Sequence, residues 1–321
     1  MSACLLPLTA RQTPDTGGNK TYWLPQQVTE VKRPVLSLNG EWDFKYDARS
    51  RWTDIQVPGE AAMQGYAIRH DSPFCYRRTF TVPKDFADKR IILRFDGVYS
   101  RARLSINGRF VREHRGGFTR WETDVTHLVK PGKKNEILLE VTDRLNDVSY
   151  ASGYAHHPIG GILRDVTLFA LPDGHICDVN VETDLDSLYQ DAELRLSCIH
   201  DGGDTDLHLR LIAPDGQAVA LDKNRFDLRN GQNRIALAVR NPLKWDAEHP
   251  HLYTLEIRLL QDGQETARFS RPVGFREVAI VKNQMLVNGR PVKLRGACRH
   301  DIHPTLGRTT SAELDSLDAV L

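Results

Sequence analysis

Leu286-Val-Asn-Gly-Arg-Pro-Val-Lys-Leu-Arg-Gly-Ala-Cys-Arg-His-Asp-Ile-His-Pro304 is the stretch from which the rest of the chain takes its meaning. Asn288-Gly289, between short apolar runs, reads as a two-residue hairpin turn, because both central positions of a type I′ turn need positive φ and Asn-Gly tolerates it. Val292-Lys-Leu-Arg-Gly296 then reads as one more strand, and the polar cluster Arg299, His300, Asp301 and His303 begins just past it. Thr310-Ser-Ala-Glu313 has the form of a capping box opening a helix with Leu314, Leu317, Val320 and Leu321 on one face. Strand, polar loop and helix make the opening of a βα unit, and the βα loop is where barrel enzymes keep their chemistry. The helical pattern carries no stop signal. About forty residues cannot supply the ~250 of a whole barrel, so the expectation is the front part of a longer enzyme.

The run NGRPVKLRG-ACRHDIHP-TLGR resembles the start of the catalytic barrel in glycoside hydrolase family 2, the β-galactosidase and β-glucuronidase family, where the pattern is VNGKPVxLRGVNRHEHxP. Cys298 stands where family members usually have Asn, and Asp301 where β-galactosidases have Glu. Both departures lie beside the sugar pocket that the resemblance implies.

Working back from this stretch, the chain is written in short strands. Leu36-Ser-Leu-Asn-Gly-Glu-Trp-Asp-Phe-Lys-Tyr46 alternates Trp42, Phe44 and Tyr46 with Glu41, Asp43 and Lys45, so one face is aromatic and buried and the other wet. The same grammar continues to about position 172, in runs such as Cys75–Val82, Arg90–Phe95, Ala102–Ile106, Glu136–Val141 and Ile162–Phe169, with Asn107-Gly108 as another hairpin turn. Many short strands without a helical period indicate an antiparallel sandwich, and the size suits a jelly roll. Several phrases resemble the sugar-binding domain of the same family: LNGEWDF, VYSRARLSINGRFVREHRGGFTRWETDVTHLV, and Gly160-Gly-Ile-Leu-Arg-Asp-Val166. The loop Tyr150-Ala-Ser-Gly-Tyr-Ala-His-His-Pro158 is a candidate sugar contact, since aromatic faces cover the apolar side of a pyranose.

From 173 to 276 the strands alternate again, among them Ala192–Ile199, Leu207–Ile212 and Tyr253–Leu260, with turns at Pro214-Asp-Gly216 and Gln261-Asp-Gly263. About one hundred residues of such strands suit an Ig-like sandwich. Trp245-Asp-Ala-Glu-His-Pro-His-Leu-Tyr-Thr-Leu255 and Val273-Gly-Phe-Arg-Glu-Val278 resemble the linking domain of the family. The expected organisation is mainly β: an arm over 1–33, a jelly-roll sugar-binding domain over 34–172, an Ig-like sandwich over 173–276, and the truncated start of a TIM (β/α)8 barrel over 277–321.

Composition agrees with a soluble globular chain of 321 residues, 40% hydrophobic and 26% charged. Lys and Arg number 43 against 42 Asp and Glu, leaving +1 with the signs interleaved, which argues against a nucleic-acid partner. No apolar run reaches the length of a membrane span. Ala3 to Ala10 is too short, and lacks the basic start, for an intact signal peptide, which leaves the compartment open. Cys4, Cys75, Cys177, Cys198 and Cys298 are scattered without CxxC spacing, so neither a disulfide framework nor a zinc signature is indicated.

The candidate residues follow from the resemblance. It implies that His300 contacts the sugar, donating to a hydroxyl and favouring an oxocarbenium-like ring, where a loop histidine otherwise partners backbone or a nearby acid. Arg299 and Asp301 flank it, either touching substrate or ordering the loop as an ion pair. His300, Asp301 and His303 also offer zinc-type donors, but in no standard spacing, and no metal or cofactor is expected. The resemblance implies that Asp165 reaches the active site and accepts hydrogen bonds from sugar hydroxyls; the plain alternative is a strand-end salt bridge, and Arg164 reads as structural. Catalytic residues are expected from none of this chain, because in the family both glutamates lie on later barrel strands. Glu277 belongs to a linking-domain phrase and Glu313 to a helix cap. The expected function is the front of a retaining exo-glycosidase, β-galactosidase-like, with β-glucuronidase and β-mannosidase specificity as rivals and a stand-alone carbohydrate-binding or adhesion protein as the other class. The partner is a carbohydrate substrate; homo-oligomerisation of the full-length protein is left open.

Overall fold

The computed structural model describes residues 35–144 and 159–320, which fall into two compact units: 35–170 with 299–320, and 171–298. The arm over 1–33 and the ring-rich loop 150–158 lie outside the described residues. Among the described residues no helix is long and apolar enough to cross a membrane.

In the first unit an antiparallel six-stranded sheet runs in the order Thr53–Val57, Gly40–Lys45, Phe74–Thr81, Lys134–Thr142, Arg101–Ile106, Arg109–Arg115. A four-stranded sheet runs Val35–Ser37, Val166–Leu171, Arg90–Phe95, Trp121–Asp124. Period-two alternation builds the core between them: in Lys134–Thr142 the side chains of Ile137, Leu139 and Val141 are buried, while Glu136, Leu138 and Glu140 between them are only partly covered. Trp42 and Phe44 are buried on the same principle, and Tyr46 is half-buried. Phe44, Phe74 and Tyr76 pack with ring centroids 5.0 to 6.1 Å apart. Side chains of this size each bury area worth about 1.5–3 kcal/mol.

Asn107 and Gly108 take positive φ, 49° and 77°, as the hairpin requires. Asn135, buried on the neighbouring strand, accepts from the Asn107 amide at 2.9 Å and donates to the carbonyls of Lys130 and Lys133. The turn is therefore held by a side chain 28 residues away. Cys75 is disulfide-bonded, a bridge that the cysteine spacing does not indicate, while Cys177, Cys198 and Cys298 stand outside any disulfide.

The second unit is also a sandwich. One sheet is His175–Leu185, Ala192–Asp201, Gly231–Val239; the other runs Ala218–Val219, Thr205–Ile212, Tyr253–Gln261, Gln264–Val273, with Arg225–Leu228 also paired to Thr205–Ile212. Its core is a leucine ladder, Leu194, Leu196, Leu207, Leu209, Leu211, Leu255 and Leu259, closed by Phe269 and Phe275. A three-stranded meander, Val278–Val281, Gln284–Val287 and Arg290–Pro291, completes the unit. Its second turn is the expected Asn288-Gly289, with φ of 50° and 74°, and the Asn288 amide donates to the Trp245 carbonyl at 3.1 Å.

Beyond Pro291 the structure departs from the sequence reading. Val292 to Gly296 is not a strand; residues 292–300 are irregular and exposed, with Leu294 at 77%. A strand needs a neighbour to take its alternating N–H and C=O groups, and among the described residues this run makes one such bond, from the Val292 N–H to the Met285 carbonyl at 3.0 Å, which does not continue into a ladder. The helix does form, over Ala312–Val320, with its cap one residue later than expected: the Ser311 hydroxyl accepts from Leu314 N–H at 3.4 Å. Leu317 and Val320 on it are exposed. Strand, loop and helix are thus not assembled as a βα unit.

Candidate functional site

The phrase Gly160 to Val166 is positioned by its glycines. A Cβ on Gly160 would meet Phe74 and Ile68, and one on Gly161, at φ +140°, would meet the Gly59 carbonyl and the Tyr76 hydroxyl. Only bare backbone lies this flat against the core. The run is then pinned on both sides, by Gly59 N–H to the Ile162 carbonyl, Ala61 N–H to the Gly160 carbonyl, and Leu163 N–H to the Gly97 carbonyl. Arg164 and Asp165 emerge at its end.

Asp165 is exposed, and its Oδ1 accepts from the Asn39 amide at 2.9 Å. The Asn39 carbonyl oxygen accepts from Val166 N–H, so one carboxamide fixes both the aspartate and the next peptide. The salt bridge to Arg164 that adjacency suggests is not made. One carboxylate oxygen is used in the Asn39 bond.

Arg164 reaches a different target. Its Nη1 donates to the Arg308 carbonyl at 2.6 Å and its Nη2 to the Thr310 hydroxyl at 3.4 Å. Glu60, 1% exposed, accepts the Arg308 N–H on Oε2 at 2.6 Å. Both backbone groups of a single residue are thus held by charged side chains, and charge-assisted bonds of this kind are the strong ones. Gly307 makes the approach feasible: its φ is +63°, and a Cβ there would collide with the Glu60 carboxylate. His303 and Gly307 exchange backbone bonds at 2.8 and 2.9 Å, closing the turn that presents Arg308.

The polar cluster sits at the head of this segment. Arg299 contacts Asp315 at 2.7 Å, Asp318 at 3.0 Å and Asp301 at 3.4 Å. The bond to Asp315 and the neighbouring carboxylates raise its already high pKa. His300 is exposed, and its carbonyl accepts Ile302 N–H at 2.8 Å. The four residues singled out in the sequence therefore share one compact unit. Arg299 and Asp301 meet, while Asp165 is held from Asn39 and not by that pair. His300, Asp301 and His303 do not converge on a common point as metal ligands would: among the described residues the one grouping near enough to share an ion is elsewhere.

Sequence reading missed Glu60. It lies in a loop with no periodic pattern, and nothing local shows that its partner is 248 residues away. It also missed Asp143, whose Oδ2 pairs with His70 Nδ1 at 2.8 Å while its carbonyl accepts Asp71 N–H. Burial pushes this carboxyl above the usual range, with His70 pulling against it.

The family model described as glycosyl hydrolases family 2, sugar binding domain, matches residues 10–172, and that described as glycosyl hydrolases family 2 matches 174–276. A β-galactosidase of Priestia megaterium is 31% identical over 89% of this chain and 32% of its own length. One of Aeromonas hydrophila is 32% identical over 94% of this chain and 30% of its own. The chain thus spans about a third of the length of these relatives. Among solved structures, a β-glucuronidase of Ruminococcus gnavus superposes with a TM-score of 0.77 at 23% identity, covering 94% of this chain and 53% of that one, a likeness of fold.

Proposed function

The chain belongs to glycosyl hydrolase family 2, and from that premise we propose that it supplies the sugar-binding and spacer modules of a retaining exo-glycosidase for terminal β-linked sugars, β-galactosidase-like in specificity. The observation that carries this reading is the two-sided hold on Arg308 by Glu60 and Arg164, which ties the Arg299–His303 run to the sandwich bearing Asp165. Two sugar-facing groups far apart in sequence then serve one pocket.

Asp165 accepts from sugar hydroxyls on its remaining carboxylate oxygen. His300 donates to a hydroxyl, in a bond that strengthens as the ring flattens towards the oxocarbenium-like transition state. Arg299, already engaged by three carboxylates, contributes chiefly by holding the loop under His300, and Asp301 shares that task. A retaining mechanism needs two carboxyls ~5–5.5 Å apart, one as nucleophile and the other as acid and then base. Neither Glu60, buried against the Arg308 peptide, nor Glu313, whose carboxylate bonds to Ser311 at the helix start, is placed for either role.

Purified chain assayed on nitrophenyl β-galactoside, β-glucuronide and β-mannoside is expected to release no nitrophenol above the buffer rate. Substantial turnover that tracks the protein through purification would show the active site to be misplaced.

A further inference from the structure

We infer that the second sandwich carries a zinc-type cation site formed by His175, Cys177 and Asp201, a role separate from the sugar pocket and from any part in hydrolysis. One donor atom from each of the three lies within 4.8 Å of the other two. All three come from one strand pair, His175–Leu185 and Ala192–Asp201, in which His175 and Asp201 are direct cross-strand partners. The register slips between Ile176 and Asp178, so Cys177 is the extra residue of a β-bulge. Bulges re-aim side chains, and here the thiol joins the imidazole and the carboxylate.

The donor set selects the ion. Thiolate and imidazole favour zinc and its neighbours over calcium or magnesium, which take oxygen ligands. Three protein donors with one open position is the arrangement of many zinc centres, water taking the fourth place. Bond lengths of ~2.0–2.3 Å in a tetrahedron set the donors roughly 3.5 Å apart, so the side chains close by about 1 Å on binding. The Cys177 thiol gives its proton to solvent as the metal–sulfur bond forms.

The surroundings are built for a fixed ligand. His175 Nδ1 lies 3.2 Å from the Asp173 carbonyl, which can only accept, so Nδ1 carries the proton and Nε2 keeps the lone pair for a metal. Gly174 and Gly202 lock the frame: a Cβ on Gly174 would strike the Thr205 hydroxyl, and one on Gly202 the Asp173 backbone. Asp201 is partly exposed, which gives an ion a route in.

The test uses the full chain, chelator-treated and then titrated with Zn²⁺ by calorimetry and with Co²⁺ by absorption. The expected result is one ion per chain, with a sulfur-to-cobalt charge-transfer band and unchanged far-ultraviolet circular dichroism. Cys177→Ser removes the band, and Asp201→Asn weakens binding by about tenfold or more, since even outer-shell losses cost roughly 10–100-fold. Cys298→Ser, at the exposed thiol, leaves both signals intact. Absence of stoichiometric binding, or a band that survives Cys177→Ser, overturns the assignment.

Discussion

The two sandwiches solve the same packing problem with different materials. The first builds its core from rings, Trp42, Phe44, Phe74, Tyr76, Phe95 and Trp121, and threads charged groups through it: Glu60, the Arg94–Glu122 pair and Asp143. The second is a leucine ladder whose buried polar residues, His175, His200 and Thr205, gather at one end. Burying a charge is expensive unless it is paired and hydrogen-bonded. A domain that keeps several of them does so for positioning, and in the first unit Glu60 and Arg164 fix the segment leading back to His300. The second unit carries no such devices through most of its core.

From this contrast, the largest effect is expected on breaking the buried ion pair of the first unit. Glu122→Leu strands the Arg94 guanidinium, whose Nε bonds Glu122 at 2.6 Å, and is expected to cost about 3–5 kcal/mol; Arg94→Met in the same chain should recover most of it. Denaturant unfolding followed through Trp42 and Trp121 should show the loss, with Trp245 reporting an unchanged second unit. Ile257 lies fully buried in the leucine ladder, and Ile257→Ala should do the converse, costing about 2–5 kcal/mol in the Trp245 transition alone.

Glu60→Ala should be milder in global stability and sharper in place. Loss of a hydrogen bond to a charged group costs about 1.5–3 kcal/mol. Hydrogen exchange should quicken at Arg308 and its neighbours while Leu209 keeps its protection. The smallest effects are in pH dependence, and they fall in different ranges for the two units. Burial, with Arg112 adding to it, pushes His114 down to about 4 from 6.5. The unfolded chain therefore takes up the proton first, and stability from this group falls as pH drops from 6.5 to about 4. In the second unit the bond from Arg268, with Arg258 assisting, holds Glu265 at about 2 against 4.5. That contribution is present above 4.5 and is lost as pH falls towards 2. His114→Gln and Glu265→Gln should each flatten only their own limb of the stability curve.

Much of the fold was legible because strand alternation is a local signal: Trp42 with Phe44, or Ile137 with Leu139 and Val141, shows its buried face without knowledge of partners. The hairpins at Asn107-Gly108 and Asn288-Gly289 were legible for a similar reason, since positive φ at two successive positions restricts composition. The turn at Lys282-Asn283, with φ of 47° and 64°, was not, because lysine gives no such warning. Val292 to Gly296 misled because β-branched and apolar residues state a preference, while a strand exists only when another backbone accepts its bonds. The candidate site was half legible. Asp165 and His300 could be named from the phrases that contain them, but the clamp joining their surroundings depends on Glu60 and Arg308, whose pairing no local pattern encodes. The His175, Cys177 and Asp201 grouping escaped for the same reason, being assembled by strand register rather than by spacing.

If Asp165 and the Arg299–His303 run share one sugar surface, chemical-shift mapping of the chain during titration with galactose, glucuronate and mannose will locate it. Perturbations centred on Asp165, Asn39 and residues 299–303, strongest for galactose and abolished by Asp165→Asn together with His300→Ala, are the predicted result. Shifts confined to the second sandwich, or none at these residues up to the solubility limit of the sugars, would contradict it.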